Sequence, residues 1–251
     1  MDIKTKPLFS IITVVKNDEK NIQKTIESIL NQEFKNFEYI IIDGNSKDNT
    51  LNKINKYKES IDFIISEDDD GIYFAMNKGA ALASGEFVVF VNSGDIFTPK
   101  ALKIINDKII QEVNFDFIVG TVKRHYTKDI IIKSGFDKKK LKYNFDFATS
   151  HSTGFFIRNS KFKEIGLFNT KYRCSADYDI YYKLIILKNL NGISTKHEEL
   201  IGEVASGGFS SKISFIDHLK EETLIRLNNG QNKLIIFFIF INAIIKNFFK
   251  N

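Results

Sequence analysis

The chain opens with apolar runs that each end in a cluster of polar turn formers. Residues 8–15, 37–42 and 61–65 are rich in Ile, Val and Phe, and each stretch reads as a β-strand. A fourth run covers residues 87–91, Phe87-Val88-Val89-Phe90-Val91, five apolar positions without a break. An unbroken β-branched and aromatic run is the pattern of a central parallel strand covered on both faces. It runs into Asn92-Ser93-Gly94-Asp95, a turn-forming stretch ending in a carboxylate. Between the strands, apolar residues recur at helical spacing. Ile22, Ile26, Ile29 and Leu30 mark a helix to about residue 31, with Asn17 or Asp18 as its cap. A second helix is expected from residue 50 to about 58, a third through Ala75, Met76, Gly79 and Ala83, and a fourth after Pro99 through Leu102, Ile105 and Ile109. Strands alternating with helices predict βαβ units and a mostly parallel sheet flanked by helices, an α/β fold.

The second half is less regular. Residues 116–121 read as a further strand and 201–205 as a last one, with a helix through Tyr182, Leu184, Ile185 and Leu187. Residues 123–144 are basic and uneven and are expected to form a solvated loop or lid. Between residues 146 and 179 polar and aromatic residues mix without a clear period. No repeat and no linker separates two domains. The tail differs again. Residues 234–241 form an apolar run of eight, twelve if counted across Asn242. A bilayer-spanning helix needs ~20. The tail is therefore expected to lie in a membrane interface with Lys233, Lys246 and Lys250 outward, the alternative being a helix buried against the domain or a dimer partner.

Bulk composition narrows the classes. A chain of 251 residues with 43% hydrophobic and 13% aromatic positions can bury a substantial core and is not disordered. A net charge of +5 permits anionic substrates or a membrane surface, and no nucleic-acid-binding signature accompanies it. The single cysteine, Cys174, excludes an internal disulfide and a Cys-based zinc site and fits a reducing cytoplasm. The first seven residues carry no apolar signal-peptide core.

Candidate chemistry lies at the strand ends. No P-loop, no Gly-x-Gly-x-x-Gly after the first strand and no Gly-x-Ser-x-Gly elbow is present. Acids do follow three successive strands, at Asp43, at residues 67–70 and at Asp95. Ligands of open α/β sheets bind at that edge. Asp177 and Asp179 come later, at a helix start where capping is the simpler role. Moving a group from a phosphate leaving group to a hydroxyl needs stabilisation of the departing charge and a general base. Asp95 suits the first task and Asp177 the second.

Four ordered motifs carry a resemblance. They are Ser10-Ile11-Ile12-Thr13-Val14-Val15-Lys16-Asn17; Ile42-Asp43-Gly44-x-Ser46-x-Asp48-x-Thr50; Gly71-Ile72-Tyr73-x-Ala75-Met76-Asn77-Lys78-Gly79; and Asn92-Ser93-Gly94-Asp95. With a late Gly207-Gly208-Phe209-Ser210, they resemble the family 2 glycosyltransferases, and within these the bacterial enzymes of polysaccharide and lipopolysaccharide assembly. The resemblance runs from about residue 7 to 210. It implies a GT-A fold over residues 1–211, with a nucleotide-binding half at about 7–95 and an acceptor half at about 96–211, followed by a helical segment at 212–251. It implies an inverting, metal-dependent hexosyltransferase that takes a sugar from a nucleoside-diphosphate donor, a UDP-sugar by preference. The acceptor would be a saccharide or lipid-linked saccharide met at the inner face of the plasma membrane. Thr13, Asn17, Asp43, Asp69, Asn77, Asn92, Ser93 and His151 would bind substrates. Asp95 would hold Mg²⁺ or Mn²⁺, and Asp177 would be the base. Two departures from the pattern stand out. Asn92 replaces the first acid of the family's Asp-x-Asp, so the cation would arrive with the diphosphate. Phe74 stands where relatives often carry Asp, which removes any donor-sugar preference borrowed from them. Two other classes compete with this one. A non-catalytic sugar-nucleotide binder or assembly scaffold would need neither Asp95 nor Asp177. A nucleotidyltransferase would need a Gly-rich basic loop after the first strand.

Overall fold

The computed structural model describes residues 6–126, 129–144 and 152–248. The first strand, β1 (Phe9–Val15), is buried at every position. It pairs in parallel with β2 (Phe37–Asp43) in a register running from Phe9 opposite Phe37 to Val15 opposite Asp43. Its other edge takes β4 (Phe87–Phe90), also parallel, and β3 (Phe63–Ser66) extends the sheet beyond β2. Beyond β4 the sheet continues through β9 (Phe155–Arg158), β6 (Phe117–Val119) and β10 (Gly192–Ser194). The order is β10-β6-β9-β4-β1-β2-β3, so β4 is the middle strand of seven. β9 alone runs antiparallel to both its neighbours. The mostly parallel sheet expected from the sequence is therefore present, with one reversed strand.

Alternate residues of β1 and β2 feed two cores, as the period of two requires. Ile11, Tyr39 and Ile41 pack with Ile22, Ile26 and Ile29 of α1 (Ile22–Leu30) and Leu102 and Ile105 of α4 (Ala101–Gln111). Ile12, Val14, Ile40 and Ile42 pack with Tyr73, Met76 and Ala80 of α3 (Ile72–Leu82) on the opposite face. α2 (Thr50–Asn55) lies between β2 and β3 in the chain and is shorter than expected, since a separate 3-10 turn occupies Lys58–Ser60. α1 starts four residues later than Asp18. Asn17 is in a left-handed conformation (φ 51°), and the Asp18 carboxylate accepts from Ser93 Oγ at 2.7 Å instead of capping a helix.

A second sheet, ordered β5-β11-β7-β8, joins β5 (Ile96–Phe97), β11 (Leu200–Val204), β7 (Thr121–His125) and β8 (Ile130–Lys133). The single strand expected over residues 116–121 is thus two strands in two sheets, broken at Gly120. A Cβ there would stand 2.1 Å from Ile201 Cδ1, so only glycine lets the chain cross so close to β11. The basic stretch expected as a solvated loop contains a β-hairpin and α5 (Lys138–Tyr143), whose N-cap Asp137 accepts from the Lys139 and Lys140 amides at 2.8 and 3.2 Å. The patternless region holds β9, α6 (Asn159–Glu164) and α7 (Ala176–Tyr181), the last continuing as a π-helical turn over Tyr182–Leu187.

Two helices complete the described chain, α8 (Phe215–Asn228) and α9 (Lys233–Phe248). α8 is fastened to the body by Arg226, which is fully buried. Its guanidinium donates to the carbonyls of Leu141 (2.6 Å), Lys142 (2.9 Å) and Asn144, groups that the end of α5 leaves unsatisfied. It also lies over the rings of Tyr178 and Tyr182, 5.6 and 5.5 Å from their centroids. α9 packs on α8 through Ile236 and Ile239, while Leu234, Phe237, Phe238, Ile241, Ile245 and Phe248 face outward.

Candidate active site

The C-terminal ends of β1, β2 and β4 open into a cavity of about 1170 Å³. At the β1–β2 end two of the resembling motifs hold each other. Consecutive amides of Asn17, Asp18 and Glu19 donate to Ser46 Oγ (2.8 Å), Thr50 Oγ1 (2.9 Å) and Asp48 Oδ2 (3.1 Å). Asn17 Oδ1 accepts the Lys47 amide at 2.7 Å. Asn17 and Gly44 reach the cavity surface through this lacing. Asp69 faces the same end. Its Oδ1 is paired with Lys78, which also meets Glu67 at 2.7 Å, and these two carboxylates hold the Lys78 ammonium above its ordinary pKa. Asp69 Oδ2 is buried in the cavity wall with no hydrogen-bond partner.

The turn after β4 forms the floor. Gly94 takes φ 99°, which turns Asp95 back beneath the turn. Asp95 is only 5% exposed. Its Oδ2 accepts from Thr153 Oγ1 at 2.8 Å and its Oδ1 from the Ala205 amide at 3.0 Å, so it joins β4 to the end of β11. Asn92 Nδ2 donates to Ser152 Oγ at 3.3 Å, whereas its Oδ1 is buried at the cavity without a partner. Ser93 is also on the surface, its hydroxyl bound to Asp18.

The far wall is built by α3 and α7. Asp177 lines the cavity from the first turn of α7. Its Oδ1 accepts from Tyr73 Oη at 3.3 Å and from the Tyr178 amide at 2.9 Å. Burial, reinforced by the Asp177 charge, pushes the Tyr73 phenol well above its usual pKa, so Tyr73 stays a donor. Burial likewise pushes the Cys174 thiol up to about 12, which makes it a poor nucleophile.

Three predicted site residues do not reach the cavity. Thr13 is fully buried on the α1 side of β1, bonded to Val91 O at 2.7 Å and Tyr39 Oη at 3.0 Å. Asp43 is fully buried too; it accepts from Ser46 Oγ and N and from Ser66 Oγ and thereby shapes the turn that presents Gly44. Asn77 clamps a turn, its side chain bonded to both the amide and the carbonyl of Phe168 at 3.0 and 2.8 Å. His151 lies outside the described residues. The sequence reading missed Arg124, His125 and Lys133 of the β7–β8 hairpin and Lys212, all on the cavity wall. Their basic stretch was visible, but a run of lysines does not reveal which ones a hairpin turns inward.

A divalent cation fits this floor only as a shared ligand. No group of three or more His, Cys, Asp or Glu side chains converges among the described residues. Asp95 lines this floor, and the unpartnered Asn92 Oδ1 supplies a neutral oxygen at the same turn. Mg²⁺ and Mn²⁺ take oxygen donors and keep substrate and water ligands.

The fold matches those of solved proteins. S. aureus TarS (residues 1–349) in complex with UDP-GlcNAc matches with a TM-score of 0.70 at 19% identity, covering 94% of this chain and 71% of that one. The mannosyltransferase PcManGT of Pyrobaculum calidifontis, in complex with GDP-Man and Mn²⁺, matches with a TM-score of 0.67 at 15% identity, covering 96% and 70%. The fold is GT-A. The profile of glycosyl transferase family 2 matches residues 10–166, and the chain belongs to that family. Among curated relatives it is 29% identical over 184 residues to a PGL/p-HBAD biosynthesis glycosyltransferase of Mycobacterium bovis, covering 69% of this chain and 68% of the relative. It is 28% identical over 206 residues to an uncharacterized glycosyltransferase of Rickettsia typhi, covering 78% and 63%. Asp177 and all of α8 and α9 lie beyond the segment matched by the family profile.

Proposed function

We propose that this glycosyltransferase moves a sugar from a UDP-sugar to a hydroxyl of a saccharide or lipid-linked saccharide during assembly of bacterial surface polysaccharide or lipopolysaccharide. The observation that carries the reading is one cavity with Asp95 on its floor and Asp177 on its far wall. The nucleotide lies over the laced loops after β1 and β2, with the diphosphate at Asn92 and Asp95. The acceptor enters against α7. Asp177 takes the proton of the attacking hydroxyl. The new bond forms from that oxygen to the anomeric carbon as the bond to the phosphate oxygen breaks, with its electron pair leaving on the diphosphate. Displacement from the opposite side inverts the anomeric centre. A divalent cation held by Asp95, Asn92 Oδ1 and the diphosphate would offset the charge that builds on the leaving group. Arg124 and Lys212 on the wall add positive charge. Position at the inner face of the plasma membrane is supported by the outward apolar side of α9, although no helix among the described residues is long and apolar enough to cross a membrane.

Thermal melting tests the reading. UDP, GDP, UDP-GlcNAc and GDP-Man are each added with and without Mn²⁺. A ligand that binds the folded state alone raises the melting temperature. UDP and UDP-GlcNAc should stabilise the protein, more so with Mn²⁺, and Asp95→Ala should abolish the Mn²⁺ increment. Absence of stabilisation by all four would favour a scaffold.

A further inference from the structure

The second sheet ends in an edge with no strand beyond it among the described residues. β8 closes the order β5-β11-β7-β8 and pairs with β7 alone. Its three isoleucines, Ile130, Ile131 and Ile132, are 59%, 42% and 46% exposed. Successive strand residues point to opposite faces, so both faces of this strand are apolar and open. A bare apolar edge is a template for another strand, and proteins blunt such edges with lysine, proline or a covering loop. The apolar run of β8 holds neither lysine nor proline. It is flanked instead by charges of opposite sign, Asp129 before it and Lys133 at its end.

The hairpin fixes which backbone groups point outward. The Tyr126 amide donates to the Asp129 carbonyl at 2.8 Å. The register runs on from there, with Arg124 opposite Ile131 and Val122 opposite Lys133. Hydrogen-bonded pairs alternate along an antiparallel ladder. Ile131 therefore directs its amide and carbonyl to β7, and those of Ile130 and Ile132 point to the free edge. Ile131 lies midway between Asp129, which is exposed, and Lys133, which is half-buried. The run Asp-Ile-Ile-Ile-Lys is thus its own complement when two copies meet antiparallel.

We propose that β8 pairs antiparallel with β8 of a second copy of this chain, about a two-fold axis at Ile131. Ile130 then lies opposite Ile132 of the partner subunit. These are the residues whose amides and carbonyls point outward, so backbone hydrogen bonds close on both sides of the axis. Ile131 faces its own counterpart. Asp129 lies directly opposite Lys133 of the partner subunit, where cross-strand Cβ atoms come to about 4.5–5.5 Å. A one-residue slip mismatches the outward groups, and a two-residue slip parts Asp129 from Lys133. The same patch serves both copies, so the contact closes as a dimer and does not propagate. Directly opposed residues share a face of the sheet, and Lys133 lines the cavity. Each copy therefore places a carboxylate, Asp129, against the cavity wall of the other. The pairing holds whatever the donor and acceptor are.

Sedimentation velocity on the full chain tests it. Asp129→Lys sets lysine against lysine, and Lys133→Asp sets acid against acid. Each alone should sediment as a monomer under conditions where the wild type is a dimer. Mixed in equal amounts, the two variants are complementary again and should form a heterodimer. Cysteine cross-linking gives a second readout. Ile131→Cys should join two copies under mild oxidation, because the axis brings that residue onto its counterpart. Ile132→Cys should not, because it faces Ile130 of the partner subunit and a disulfide needs Cα atoms within about 7 Å. The native Cys174 is buried and does not compete. A monomeric wild type with no cross-link in Ile131→Cys would overturn the proposal. A dimer that persists in both charge variants would overturn it too and move the association elsewhere, such as to the outward side of α9. Equal cross-linking in Ile132→Cys would rule out the register. The cysteine variants decide the matter even if a charge variant folds poorly.

Discussion

Asp177 owes its place to contacts on every side: Tyr73 from α3, the amide of Tyr178, and a turn fixed by Glu221. On the proposed reading, Asp177 contributes through its charge as the base rather than through the fold. Asp177→Asn preserves shape and hydrogen bonding but cannot take a proton. Positioned general bases contribute ~10²–10⁴-fold. Turnover of the stabilising donor should fall by roughly that range, with the nucleotide-induced rise in melting temperature retained. Wild-type turnover in the variant would remove Asp177 from the role. At this same scale the sequence was least legible. Thr13, Asp43 and Asn77 were expected to bind substrates, and all three lie behind the cavity surface. Strands covered on both faces show no alternation of polar and apolar positions. The run therefore identifies a strand but not which residues face which core. Asp43, Ser46, Asp48 and Thr50 form a recognisable motif for a different physical reason: they hold one another and the neighbouring loop, and only what they frame is open to a ligand.

Elements were legible in proportion to their length and period. β1, β2, β4, α1, α3 and α4 fall close to where their patterns predict them. β6, β9 and β10 have three or four residues each, too few for a period to register, and β9 is antiparallel in an otherwise parallel sheet. The crossing at Gly120 hides a change of sheet inside one apolar run. The role of α8 has no sequence pattern at all, because it depends on single residues meeting turns far away in the chain, such as Glu221 on Ser175, 46 positions apart, and Arg226 on Lys142, 84 positions apart. Arg226→Ala would strip the Leu141 and Asn144 carbonyls of their donor and leave the Lys142 carbonyl to Gln231 Nε2 alone. A buried polar group left unpaired costs ~1–3 kcal/mol, so the loss should total about 2 kcal/mol or more and appear as a lower denaturation midpoint in urea. A midpoint within error of wild type would show that water replaces the guanidinium at no cost.

For the whole molecule the decisive feature is α9, which is apolar on every side. One side packs on the body through Ile236 and Ile239; the other leaves Leu234, Phe237 and Phe238 at 70%, 58% and 69% exposure. The alternative of a helix buried against the domain thus describes one side of α9, and the other side is apolar and exposed. Ala243 of α9 lines the cavity. Leu234, Phe237 and Phe238 changed together to Glu should abolish co-sedimentation with vesicles of anionic phospholipid and leave the melting temperature near that of wild type, since none of the three is part of the core. Unchanged co-sedimentation would sink the membrane role.

The tie between Glu221 and the turn before Asp177 also bears on how the enzyme comes into being. A chain emerging from the ribosome presents its N-terminal parts first, at about 5–20 residues per second. The seven-stranded sheet is complete once residues 192–194 have been made. The turn before Asp177 must still wait for residue 221. On the proposed reading of Asp177 as the base, the tie that holds it is therefore among the last parts of the site to form, after the last strand has been made.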